Sequence, residues 1–142
     1  MTEYRALCPP SVHGHFVSCL GEDLPFRDRA FDSVFSFNVI DHVMSPDRFV
    51  AELARVTRPG GRIVLGVYTH PRLFALVRTA LERLAPFFRE VAHPFFFTCQ
   101  SLVQLLRHHN LHVDRVARVY APKHVPFLHR QDWVAVARKP AL

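Results

Sequence analysis

Glycine is scarce in this chain of 142 residues: there are five, at positions 14, 21, 60, 61 and 66, and no two of them form a G-x-G pair. Within these residues that excludes the glycine-rich loop with which many α/β domains bring backbone N–H groups up to a phosphate or a dinucleotide. Cysteine is scarcer still. Cys8, Cys19 and Cys99 are odd in number and include no C-x-x-C pair, which fits a reducing, cytoplasmic setting better than a disulfide scaffold. No apolar run approaches the ~20 residues of a membrane span, so no membrane partner is expected. Internal repeats and low-complexity tracts are also missing.

What is present is enough apolar material for one domain with a real core: 49% of residues are hydrophobic and 21% charged. The formal charge of +6 invites an anionic partner. The arginines at 48, 55, 58, 62, 72, 78 and 83 are scattered singly, however, which reads as solvated helix faces rather than a nucleic-acid stripe. Ten histidines raise the question of a metal. His108, His109 and His112 sit near a helix end with no carboxylate or thiolate set at ligand spacing, so they read as basic helix-end or surface residues and no metal site is predicted.

Residues 1–14 hold Pro9, Pro10 and Gly14 without apolar periodicity and read as an extended lead-in to a single domain over 15–142. His15 to Leu20 is a short strand candidate, followed by a charged loop around Pro25. The β-branched and aromatic run from Phe31 to Asn38 predicts a strand buried on both faces. Ser45 and Pro46 then open a helix as N-cap and first helical residue, with Asp47 favourable at that end. Phe49, Val50, Leu53 and Val56 recur at helical spacing until Pro59, Gly60 and Gly61 are expected to stop it. The apolar run from Ile63 to Tyr68 is the next strand, completing a βαβ unit.

A second helix is predicted after Pro71, with Leu73, Leu76, Val77, Ala80, Leu81 and Leu84 as its apolar stripe. Residues 86–97 carry five phenylalanines, either a lid over a pocket or the cover of the core, and core cover is the simpler reading. Thr98 caps a third helix whose Leu102, Val103, Leu105 and Leu106 face inward, with Asn110 as its stop. Two strands, about 111–120 and 133–138, end the chain.

Three stretches carry a resemblance: Asp23-Leu24-Pro25-Phe26 followed by Phe31-Asp32-Ser33-Val34; Asn38-Val39-Ile40-Asp41-His42-Val43; and Arg55-Val56-Thr57-Arg58-Pro59-Gly60-Gly61-Arg62-Ile63. With His93-Pro94-Phe95-Phe96-Phe97-Thr98 they make residues 15–138 similar to the type 11 group of class I S-adenosylmethionine-dependent methyltransferases. The resemblance implies an α/β, Rossmann-like sheet of spatial order 3-2-1-4-5-7-6, strand 7 antiparallel, with helices on its faces. The runs from residues 15, 31, 63, 111 and 133 would then be strands 3, 4, 5, 6 and 7. The first two strands and the cofactor loop between them have no counterpart here, which implies an incomplete sheet and a truncated or divergent member.

The same resemblance implies S-adenosylmethionine as cofactor and an unidentified small-molecule acceptor. Leu20 stands where the family usually places an aspartate for the adenine amino group. Gly21, Glu22 and Asp23 flank it and complete that cofactor-binding stretch, either carboxylate being a substitute in a different register. Asn38 and Val39, just past the fourth strand, would meet the cofactor. His42 is a candidate general base or acceptor-orienting group, against the plainer reading of a loop histidine satisfied by a neighbour. Asp41 reads as a local cap rather than an acid. The alternative to an enzyme is a non-catalytic remnant of the fold serving as an interaction or dimerisation module. In that case the free edge of the fourth strand is covered by the run His15 to Leu20, by a partner strand, or by a second copy of the chain.

Overall fold

The computed structural model describes residues 14–69, 77, 80, 81, 84, 95, 97–120 and 131–141. The aromatic run FDSVFSF forms strand β1, Phe31–Phe37. Ser45 Oγ accepts the N–H of Arg48 at 3.3 Å, and with Pro46 at the first position it opens helix α1, Pro46–Val56, as the residue types dictate. Strand β2 is Thr57–Thr69, helix α2 is Cys99–His108, and strands β3, His112–Tyr120, and β4, Gln131–Arg138, follow.

The four strands lie in the order β1-β2-β4-β3. β1 runs parallel to β2, while β4 is antiparallel to both β2 and β3. Val34 lies opposite Ile63 and Ser36 opposite Leu65, and these two β2 residues face Ala137 and Ala135 across the next ladder. One sheet face therefore collects Val34, Ile63, Leu65, Ala135 and Ala137. Phe49, Val50 and Leu53 of α1 and Leu102 and Leu106 of α2 pack onto it to make the core. Thr98 and Ser101 form a reciprocal capping box at the start of α2, which contributes about 1 kcal/mol. Asn110, at φ 56°, ends that segment as expected.

Several expectations need correction. Residues 15–20 form no strand: they are exposed, and Leu20 makes only an isolated bridge to Asp23. A strand needs a ladder partner, and the tight turn after Leu20 folds this run back on itself instead of along β1. The sheet thus has counterparts of strands 4, 5, 6 and 7 and none of strand 3 among the described residues. Nor does the run cover the edge of β1.

The glycine turn after α1 is also placed differently. Thr57 takes an extended conformation directly after the helix, and β2 starts there. Phe31 pairs with Thr57 but Ser33 with Arg62, so residues 58–61 swell into an irregularity within the strand. Gly60, at φ 74°, supplies the left-handed residue that this requires. Gly61 is packed so closely that a Cβ would come within 2.8 Å of Arg58 O and 2.9 Å of Asp32 O.

Val77, Ala80, Leu81 and Leu84 are helical, as predicted, but exposed. α1 and α2 already cover the core face, so this stripe does not join the described core. Leu73 and Leu76 lie outside the described residues. Phe97 is buried and Phe95 packs against the core, as core cover would. Phe87, Phe88 and Phe96 lie outside the described residues, as does most of the lead-in. Among the described residues no helix is long and apolar enough to cross a membrane.

Candidate functional site

A groove of about 510 Å³ runs along the outer side of β1, between that strand and α1. Phe31, Phe35 and Phe37 of β1 line it, with Phe49, Leu53 and Val56 of α1 and with Cys19, Gly21, Leu24, Phe26 and Val39 from the adjoining loops. Among the described residues no other strand pairs with β1 on this side, and Phe35 and Phe37 remain 66% and 53% exposed. Ser36 Oγ is buried at the groove wall with no hydrogen-bond partner among the described residues.

Of the residues singled out from sequence, the groove brings Gly21 and Val39 together. Leu20, Glu22, Asp23, Asn38 and His42 are not among its lining residues. Gly21 sits flat on the ring of Phe49, where a Cβ would come within 2.7 Å of Cδ2 and Cε2, so its lack of a side chain is what lets the turn seat on α1. Leu20 points outward at 70% exposure, and Asp23 closes the turn with its N–H donating to Leu20 O at 3.2 Å.

Asn38 adopts φ 54° just after β1, and its N–H donates to Gly66 O at 2.9 Å. That left-handed step turns the chain out of the sheet into the loop that carries Val39 to His42. The His42 side chain is 46% exposed with Nε2 3.9 Å from Oδ2 of the buried Asp41. An accessible imidazole can accept a proton or orient a polar group.

Glu22 has a different setting. Its Oε1 accepts the N–H of Met44 at 2.6 Å and of Ser45 at 3.1 Å. Partial desolvation alone would raise this carboxyl, but the N–H groups of Ser45, of Glu22 itself and of Met44 outweigh it and hold the group below its ordinary range.

The strongest polar cluster was not singled out from sequence. Arg55 donates from Nε to Glu52 Oε1 at 2.7 Å, from one terminal nitrogen to Phe26 O and Asp28 Oδ1, and from the other to Leu24 O and Glu52 Oε2. Glu52 Oε2 in turn accepts the Leu24 N–H at 2.9 Å. Hydrogen bonds to Glu52, then to Asp28, raise the Arg55 guanidinium beyond its already high ordinary value, so it remains a cation. Both backbone groups of Leu24 are thus held by one helix turn, and Leu24 and Phe26 form a fixed wall of the groove. The spacing of Glu52 and Arg55, three residues apart on one helix face, is the only sequence signal of this pair. Among the described residues no three His, Cys, Asp or Glu side chains gather at metal-ligand spacing.

Comparison with known proteins places this geometry. Residues 4–65 match the type 11 methyltransferase-domain model, so the match begins ahead of the stretch that carried the resemblance. The demethylmenaquinone methyltransferase of Tropheryma whipplei is 37% identical over 67 residues, 47% of this chain and 24% of that protein. The chloroplastic tocopherol O-methyltransferase of Arabidopsis thaliana is 32% identical over 124 residues, 82% of this chain and 33% of that protein. The chain therefore spans about a quarter to a third of the length of these curated relatives. A crystal structure of an S-adenosylmethionine-dependent methyltransferase from Methanosarcina mazei shares the fold, with a TM-score of 0.72 over 99% of this chain and 76% of the other at 21% identity. Residues 4–65 are thus similar to the type 11 group of class I methyltransferases, and the chain shares the α/β, Rossmann-like fold of the methyltransferases it resembles.

Proposed function

We propose that the chain contributes to methyl transfer from S-adenosylmethionine to a small-molecule acceptor, with the transfer site at the turn from Asn38 to His42. The observation that carries this reading is the position of that turn, at the carboxyl end of β1 and next to the groove, where open α/β sheets bind ligands. The groove fits one end of the cofactor. Its apolar wall of Gly21, Leu24, Val39 and Phe49 suits a flat purine, and the exposed Asp23 is a nearby acceptor for an amino group. Its lining offers no comparable set of polar groups for the ribose or the amino-acid end. Leu20 lies beside this wall as an apolar flank, and Glu22 supports it.

The cofactor, when bound, supplies an electrophilic methyl group on a sulfonium. With that methyl passed to the acceptor nucleophile and the S–CH3 bond broken, the cofactor would leave as the neutral thioether S-adenosylhomocysteine, and the His42 imidazole or water would take the proton that the methylated acceptor gives up. Most of the acceleration comes from proximity and orientation. Calorimetric titration of the purified chain with S-adenosylhomocysteine is the direct test: saturable heat is expected, and none at millimolar ligand sinks the reading. A cytoplasmic setting fits this chemistry.

A second reading rests on the exposed phenylalanines of β1. An edge strand with an apolar flank is a template for another strand, so the chain would act as an interaction or dimerisation module. Light scattering should then show a species heavier than 16.4 kDa, whereas a monodisperse monomer across a concentration series contradicts it.

A further inference from the structure

The candidate residues named from sequence, Leu20 to Asp23 with Asn38, Val39 and His42, lie on two loops: residues 20–30, which precede β1, and residues 38–45, which follow it. Nothing in the sequence ties one to the other, since more than 20 residues separate Glu22 from Met44 and Ser45. In the structure a single oxygen does so. Glu22 Oε1 accepts two successive backbone N–H groups from the second loop, one of them from Ser45, the N-cap of α1. These N–H groups precede the helix and have no intrahelical acceptor, so a carboxylate there satisfies two donors next to the positive end of the helix dipole. Two and four residues further along, the first loop is fixed again, by Glu52 and Arg55 on Leu24 and Phe26. Gly21 lies beside Glu22 with its backbone against Phe49.

We infer that Glu22 is a positioning residue that locks the turn of residues 20–23 to the Met44 and Ser45 backbone, and so sets the spacing between the Gly21 wall of the groove and the loop bearing Val39 and His42. Glu22 Oε1 is committed to those N–H groups, and the exposed Asp23 is the more open carboxylate of this turn. The geometric part of the inference stands without the proposed activity; its consequence for ligand affinity rests on that reading.

The test compares wild type, E22Q and E22A by amide hydrogen exchange read by NMR, with S-adenosylhomocysteine titrations in parallel. In E22A the Met44 and Ser45 amides should exchange about tenfold faster or more, the size expected for losing a hydrogen bond to a charged acceptor. The Leu24 amide, held by Glu52, should keep its protection and serve as the internal control. E22Q retains an acceptor oxygen and should restore most of the protection, which also covers the case of E22A failing to fold. Affinity for S-adenosylhomocysteine should fall about tenfold in E22A and recover in E22Q. Unchanged exchange at Met44 and Ser45 in E22A overturns the inference. Faster exchange with undiminished affinity overturns the positioning role while leaving the contact. Wild type that binds no ligand sinks the methyltransferase reading, and the exchange rates still decide whether Glu22 locks the two loops.

Discussion

Glu52 shows how one side chain can couple local helix geometry to a distant loop. Its carboxylate is held below its ordinary value of 4.5 by the Arg55 guanidinium, against the opposing effect of partial burial and with help from the Leu24 N–H. A depressed carboxyl contributes stability that is fully present above its unfolded pKa and is lost as the pH falls through the folded one. Urea denaturation of wild type should therefore lose stability progressively below about pH 4.5, and E52Q should be less stable at neutral pH with a flatter profile in that acidic range. Superimposable profiles for the two proteins would contradict this account. The acidic limb in wild type also includes Asp114, held low first by the His112 ring and then by Arg138 despite opposing desolvation, so the difference between the proteins is the informative quantity.

At the scale of elements, α1 was the most legible from sequence, because its cap, first proline and apolar spacing are all local and agree with one another. Ser45, Pro46, Phe49, Leu53 and Val56 stand where that pattern requires. Residues 15–20 were misread because β-rich composition cannot supply a ladder partner. The segment around Pro59 was misread because a proline and two glycines signal a stop equally well for a turn or for a swelling inside a strand. What fixes the latter is non-local: Gly60 N–H donates to Lys139 O, Lys139 N–H donates to Gly61 O, and Lys139 Nζ caps the carbonyls of Ala54 and Thr57. The candidate site was legible as a neighbourhood, since Gly21 and Val39 do meet in the groove. The commitment of Glu22 and the hold of Arg55 were not, because their partners are main-chain groups far away in sequence. The packing at Gly61 gives a sharp test. G61A puts a methyl group against two backbone oxygens, which cannot rotate away, so a loss of about 2–3 kcal/mol in chemical denaturation is expected. A loss below about 0.5 kcal/mol, the size of an ordinary surface change, would mean the swelling is looser than described.

For the whole molecule, the apolar flank of β1 decides between the two functional readings. If association proceeds through that edge, replacing Phe35, the most exposed of its phenylalanines, by lysine should dissociate the heavier species without unfolding the chain, since Phe35 lies outside the core. An unchanged mass would place the contact elsewhere. The strand order also has a temporal meaning. Of the four described strands β4 is made after the others, yet it lies between β2 and β3, so among them β3 has no neighbour to join until β4 has been synthesised. A nascent chain extruded as far as Tyr120 can hold β1 beside β2, but the other half of its sheet must wait. β4 closes this four-stranded sheet, and the three described strands that emerge before it depend on it to become a single sheet.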